Sequence, residues 1–128
     1  MKNENALSNI IIREALDIHK KLGPGLLESV YLNCLYDKLI LAGLKVQKEC
    51  PIPVFFGERK MECGYRADLL VENLVIIEVK SIDHIIDIHK AQVLTYLRLT
   101  DKRLGLLINF NVVLLKDGIK RIVNNLPD

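Results

Sequence analysis

The chain reads as an α/β (α+β) protein with a mixed central β-sheet flanked by helices. Three observations predict this class. Apolar residues recur at helical spacing near the N-terminus and again over residues 86–100. Two aliphatic runs, Leu74–Ile77 and Leu104–Phe110, have the length and composition of buried strands. The order is helix, helix, a set of strands, helix and more strands, which suits a layered sandwich.

The first helix is expected over Ser8–Leu22, with Ile11, Ile12, Ala15, Leu16, Ile18 and Leu22 on its apolar side, Asn5 or Ser8 as cap and His19 on its polar side. Gly23-Pro24-Gly25 breaks it. Leu26–Ala42 reads as a second helix, with Leu27, Val30, Tyr31, Cys34, Leu35, Leu39 and Leu41 partly buried and Gly43 as its stop. Leu44–Glu49 alternates like a strand, and Pro51-Ile52-Pro53 belongs at an edge or a break. Val54–Phe56 continues as a strand into a turn at Gly57–Lys60. Met61–Val71 and Leu74–Lys80 form a hairpin around Glu72-Asn73. A third helix spans Ile86–Thr100, and Leu104–Phe110 is the next strand. Asp117-Gly118, between Val112–Leu115 and Ile119–Val123, gives a second hairpin signal.

At 128 residues, half of them hydrophobic, the chain is long enough for one domain, residues 1–128, with a substantial core. It contains no tryptophan, so aliphatic side chains dominate that core. The net charge of +2 is too small to mark or exclude a nucleic-acid partner. Cys34, Cys50 and Cys63 are widely spaced, odd in number and without a C-x-x-C pair. Buried reduced thiols in a cytosolic protein are expected. The polar N-terminus and the lack of a span-length apolar run lead us to expect a cytoplasmic protein without membrane association. No zinc, P-loop or serine-hydrolase motif occurs.

The chemistry concentrates at the first hairpin. Glu78 and Lys80 follow the apolar run Leu74–Ile77, and side chains two apart on a strand share a face. Asp68 lies on the preceding strand. A three-residue loop, Glu72–Leu74, places Asp68 opposite Glu78, whereas a two-residue loop turns it to the other face. In the first case the two carboxylates can bind one Mg²⁺, with the Val79 carbonyl as a third oxygen ligand. Lys80 then orients the attacking water or stabilises charge growing on a phosphoryl group. On spacing alone, a structural ion pair at a strand end is the commoner outcome. Glu28, at the start of the second helix, either reaches the metal or its water, or caps the helix from its third position behind Gly25. His89, Gln92 and Tyr96 share one face of the third helix. They either contact substrate phosphate and hold the lysine, or belong to an ordinary amphipathic helix.

Together these segments resemble the GxxExxY protein family of the PD-(D/E)XK nuclease superfamily. Gly25, Glu28 and Tyr31 meet the naming motif. Tyr65-Arg66-Ala67-Asp68-Leu69-Leu70, followed by Ile77-Glu78-Val79-Lys80-Ser81, resembles the superfamily's catalytic hairpin, with Ala67 in place of the nominal proline. Gln92-x-x-x-Tyr96 resembles the motif of its exonuclease-like branch. Leu106–Phe110 and Lys116–Ile119 fit the C-terminal part of the family. The resemblance implies a restriction-endonuclease-like core and metal ligation by Asp68 and Glu78. It also implies catalytic support from Lys80, an auxiliary acid at Glu28 and polar contacts from Gln92 and Tyr96. The function so implied is Mg²⁺-dependent hydrolysis of phosphodiester bonds, with Mn²⁺ as a substitute and nucleic acid, DNA first, as the partner. A chain this short would take its specificity from shape, from another protein or from a homodimer. The alternative is a non-cleaving nucleic-acid-binding or protein-interaction module on a nuclease fold.

Overall fold

A computed structural model describes residues 3–62 and 64–127. Its first two elements are helices α1 (Glu4–Leu22) and α2 (Glu28–Leu41). Strands β1 (Val46–Pro51), β2 (Val54–Phe56), β3 (Arg59–Met61), β4 (Arg66–Val71) and β5 (Val75–Lys80) follow. The chain ends with α3 (Asp87–Thr100), β6 (Leu104–Asn109), a 3-10 turn (Leu115–Gly118) and β7 (Ile119–Val123). The main sheet has the order β1-β4-β5-β6-β7, with β5 and β6 parallel and the other neighbours antiparallel. A separate two-stranded ribbon, β2-β3, turns at Gly57-Glu58.

The sheet separates two apolar layers. Leu69, Val71, Val75, Ile77, Val79 and alternate residues of β6 pack with α1 and α2 side chains such as Leu7, Ile11, Leu35 and Leu39. On the opposite face Leu70 and Ile76 pack with Tyr96 and Leu97 of α3. Gly105 lets α3 come this close, since a Cβ there would stand 2.6 Å from Val93 Cγ1. Arg103 donates to both oxygens of the buried Glu4 carboxylate at 2.9 and 3.1 Å, tying the start of α1 to the strand beside it.

Several local expectations need correction. α1 begins at Glu4 rather than Ser8, because Asn3, not Asn5 or Ser8, accepts the Ala6 N–H at 2.8 Å as the cap. α2 begins at Glu28, so Glu28 is its first residue and not the third of a box capped by Gly25. The preceding segment is fixed instead by Tyr31, whose hydroxyl donates to Gly23 O at 2.6 Å and accepts from Leu26 N–H at 3.1 Å. That tyrosine is fully buried and stacks on Phe110 with centroids 4.5 Å apart. Leu27, Val30 and Leu41 of the second expected helix are exposed, as are Leu16 and Leu22 of the first. His19 is buried rather than polar-facing, with its Nε2 2.7 Å from the Val112 carbonyl.

Asp117-Gly118 forms no hairpin. It lies in the 3-10 turn, and β7 pairs with β6 through Ile108↔Ile119. Gly118 is needed for close approach, since a Cβ would meet Asn109 O at 2.1 Å. Met61–Val71 is not continuous, because Met61 belongs to the β2-β3 ribbon and β4 starts at Arg66. Pro51 closes the edge strand β1, as a residue lacking an N–H donor should. Cys34 and Cys50 are free and only partly buried, while Cys63 lies outside the described residues. Among the described residues no helix is long and apolar enough to cross a membrane.

Candidate active site

The hairpin register decides whether the acids can meet. β4 and β5 pair through Leu69↔Ile77, Leu70↔Ile76 and Val71↔Val75, which leaves the three-residue loop 72–74. Glu72 and Asn73 adopt left-handed backbone at φ 51° and 57°, and the turn closes with Leu74 N–H donating to Val71 O at 2.9 Å. Continuing the register sets Asp68 opposite Glu78.

At that pair the side chains replace the ladder. Asp68 N–H donates to Glu78 Oε1 at 3.0 Å, and Val79 N–H donates to Asp68 Oδ2 at 2.8 Å. Both carboxylates therefore sit where β4 and β5 part. Glu78 is only 5% exposed and Asp68 is half-buried. Strand alternation puts Glu78 and Lys80 on the α3 face with Ile76, while Val79 points into the layer below α1 and α2.

The end of β5 is held from two sides. Phe110 N–H donates to Lys80 O at 2.9 Å. Asn109, the fully buried partner of Lys80 in the parallel ladder, accepts from Ile82 N–H at 3.1 Å and donates to Ile82 O at 3.0 Å. Ser81 Oγ donates to Leu26 O at 2.6 Å, which brings the start of α2, with the exposed Glu28, to this end of the sheet. From the α3 side, His89, Gln92 and Tyr96 line a cavity of about 580 Å³ that also includes Lys80.

A pair of facing acids, a lysine two residues on and an order of elements matching a known core suggest a particular family. The family model of the PD-(D/E)XK nuclease superfamily matches residues 5–122, a span that reaches from α1 into β7. The chain belongs to the PD-(D/E)XK nuclease superfamily. Its mixed sheet between helices is consistent with the restriction-endonuclease-like fold expected from the sequence. No curated protein and no solved structure gives a significant match. Membership in the superfamily implies a nuclease acting on nucleic acid, and its members generally use divalent metal ions.

The electrostatics of this superfamily member's hairpin are those of a site short of positive charge. Burial raises the Asp68 pKa, against the lowering effect of the Val79 N–H bond, with Glu28 adding repulsion. Burial first and the Asp68 charge second push Glu78 up to about 8, although Lys80 opposes the shift. Among the described residues no group of three or more His, Cys, Asp and Glu is placed to hold a metal ion. The facing oxygen donors are the Asp68 and Glu78 carboxylates and backbone, and the Glu28 and Glu49 carboxylates are near enough to raise the Asp68 pKa.

Two residues near this centre escaped the sequence reading, and a third, Tyr65, stood there only as the start of the hairpin motif. Glu49 stands across from Asp68 by the register Lys48↔Leu69 and Cys50↔Ala67, with left-handed φ at 55°, and its charge also raises the Asp68 pKa. Asn109 fixes the chain after Lys80. Tyr65 lines the same cavity as Lys80. The N-to-C spacing of Glu49 and Asn109 from the hairpin carries no signal. Only the strand pairing brings them in.

Proposed function

We propose that this protein is a Mg²⁺-dependent nuclease that hydrolyses phosphodiester bonds, DNA before RNA, with Mn²⁺ able to replace Mg²⁺. The observation that carries the reading is the facing pair where the ladder opens, Glu78 buried and Asp68 half-buried, with Lys80 on the same face. We read Gly25, Glu28 and Tyr31 as the GxxExxY signature.

The residues fit a hard divalent cation. Each carboxylate uses one oxygen to accept a backbone N–H, leaving the other available. Lys80 O faces β6, so alternation turns the Val79 carbonyl toward β4 and the carboxylates. Two carboxylates and a carbonyl are an all-oxygen set of the kind Mg²⁺ and Mn²⁺ take. The raised pKa values support the same reading, since a buried anionic pair is stabilised by a bound cation. When bound, such an ion polarises the phosphate and lowers the pKa of water.

The chain's own groups do the rest. The Lys80 ammonium orients the attacking water and offsets charge developing on the phosphoryl oxygens. Glu28, the auxiliary acidic residue, serves as the carboxylate base that takes up the water proton. Gln92 and Tyr96 position the strand. The water oxygen bonds to phosphorus, one P–O ester bond breaks, and the proton taken up by Glu28 returns through solvent to the released oxygen, which leaves as a hydroxyl.

Purified protein should cut single- or double-stranded DNA or RNA with Mg²⁺ or Mn²⁺ and not with EDTA. Glu78→Ala and Lys80→Ala should each reduce cleavage by about 10²-fold or more. Cleavage surviving both substitutions would remove the site assignment. Metal-independent binding without cleavage would favour a non-cleaving module on the same fold. Loss of stability in both variants without any binding would favour a structural ion network.

A further inference from the structure

The cavity beside Lys80 has a chemistry unlike that of the acidic pair. Among the described residues its lining includes Tyr65, Tyr96, Gln92, His89 and Thr95, and no carboxylate. Tyr65 is 49% exposed and leans on the buried Tyr96, with ring centroids 6.2 Å apart and planes at 57°. Tyr65 is anchored just before β4 by Ile52 N–H, which donates to its carbonyl at 2.8 Å. A half-exposed π-face therefore stands three positions before Asp68 in the chain and shares a cavity with Lys80.

The α3 wall supplies hydrogen-bonding groups. His89 Nδ1 lies 3.0 Å from Ile86 N–H and accepts from it at the helix start. In the neutral ring the proton is then on Nε2, which makes that nitrogen a donor. The Gln92 amide both donates and accepts. An aromatic ring sharing one cavity with amide, imidazole and hydroxyl groups matches a neutral heteroaromatic ring with a polar edge. A phosphate would call for more cations than Lys80 alone. The volume of about 580 Å³ is within the usual range for small-molecule pockets, and suits one nucleoside rather than a stacked base pair.

We propose that this cavity is a nucleobase pocket: one unpaired base next to the phosphate to be cut stacks on Tyr65, with its edge against Gln92 and His89. The inference rests on the nuclease reading for which phosphate is cut, and it narrows the substrate to strands with an unpaired nucleotide. Single strands, frayed ends and extrahelical nucleotides qualify, and a fully paired interior site does not.

The test uses a single-stranded oligodeoxynucleotide carrying 2-aminopurine, mixed with the protein in EDTA so that binding is read without cleavage. Stacking on Tyr65 should quench the 2-aminopurine emission. Tyr65→Leu should abolish the quenching and weaken binding by about 5- to 100-fold, from the usual strength of base–aromatic stacking. Tyr65→Phe should retain both, which separates loss of a ring from loss of fold. A fully paired duplex of the same sequence should show little quenching, and a single unpaired 2-aminopurine should restore it. Quenching that persists in Tyr65→Leu, or that is equal on the paired duplex, overturns the proposal. Cleavage with Mg²⁺ but no Tyr65-dependent quenching overturns the pocket and leaves the nuclease. Tyr65-dependent quenching without cleavage of any polymer sustains the pocket and removes the nuclease.

Discussion

Glu78→Gln should stabilise the metal-free protein at alkaline pH while abolishing cleavage. Burial and the neighbouring Asp68 charge push the Glu78 carboxyl from 4.5 up to about 8. The folded state thus holds a proton that the unfolded state has released across that interval. The stabilising contribution is complete below about pH 4.5 and is lost as pH rises through about 8. Glutamine has nearly the same shape, no charge, and an oxygen that can still accept the Asp68 N–H. It removes the penalty of the buried anion and relieves Asp68 of its closest like charge. The full shift caps the effect at ~5 kcal/mol, and structural relaxation and water reduce it to about 1–3 kcal/mol. For a chain of this size that is roughly a 4–12 °C gain in Tm. The assay is thermal melting of wild type and Glu78→Gln in EDTA at intervals from pH 5 to 9. The gap should be small at pH 5 and widen to its maximum near pH 9. A gap that is flat with pH, or a variant less stable at pH 9, would refute a buried, charge-poor Glu78.

Mg²⁺ should compete with the proton on that carboxyl, so the apparent Kd should fall by up to about tenfold per pH unit from 6 to 8 and level off above; calorimetry at several pH values checks the slope. Asn109→Ala leaves Ile82 N–H and Asn111 N–H without their buried acceptor, while Ile82 O keeps only the Asn111 Nδ2 donor at 3.2 Å. It should cost ~2–3 kcal/mol in denaturant unfolding and lower activity further by loosening the chain after Lys80. Gly105→Ala puts a methyl 2.6 Å from Val93 Cγ1 and should destabilise by ~1–3 kcal/mol, with Val93→Ala recovering part of the loss in a double-mutant cycle.

The hairpin was legible because its geometry is local. Loop length alone sets whether Asp68 faces Glu78, and the three-residue loop 72–74 answers it. The helices were legible from their apolar stripes, apart from their first turns. There Asn3 acts through one hydrogen bond and Tyr31 through two, which periodicity does not encode. Asp117-Gly118 misled because the dipeptide's local preference is outweighed by β7 finding its partner in β6, and by the space Gly118 must leave for Asn109 O. His19 misled because the acceptor that holds it, the Val112 carbonyl, is 93 residues away. Glu49 and Asn109 were invisible as site residues for the same reason. The β1–β4 and β5–β6 pairings that place them are not dictated by any short turn.

The open ladder at Asp68 and Glu78 explains how one hairpin can serve both fold and chemistry. Two like charges in a buried gap are unfavourable, yet each accepts a backbone N–H that would otherwise be an unpaired donor where the strands part. The backbone fixes one oxygen of each carboxylate, and with it the direction of the other. The cation ligands of the proposed site are therefore oriented before any ion arrives, by the main chain rather than by further polar side chains. An amide at either position can take over the hydrogen bond but not the negative charge. The stability of the strand junction and the proposed metal affinity should then be separable by isosteric substitution, whereas in a structural ion network, where the charges themselves hold the fold, they would fall together.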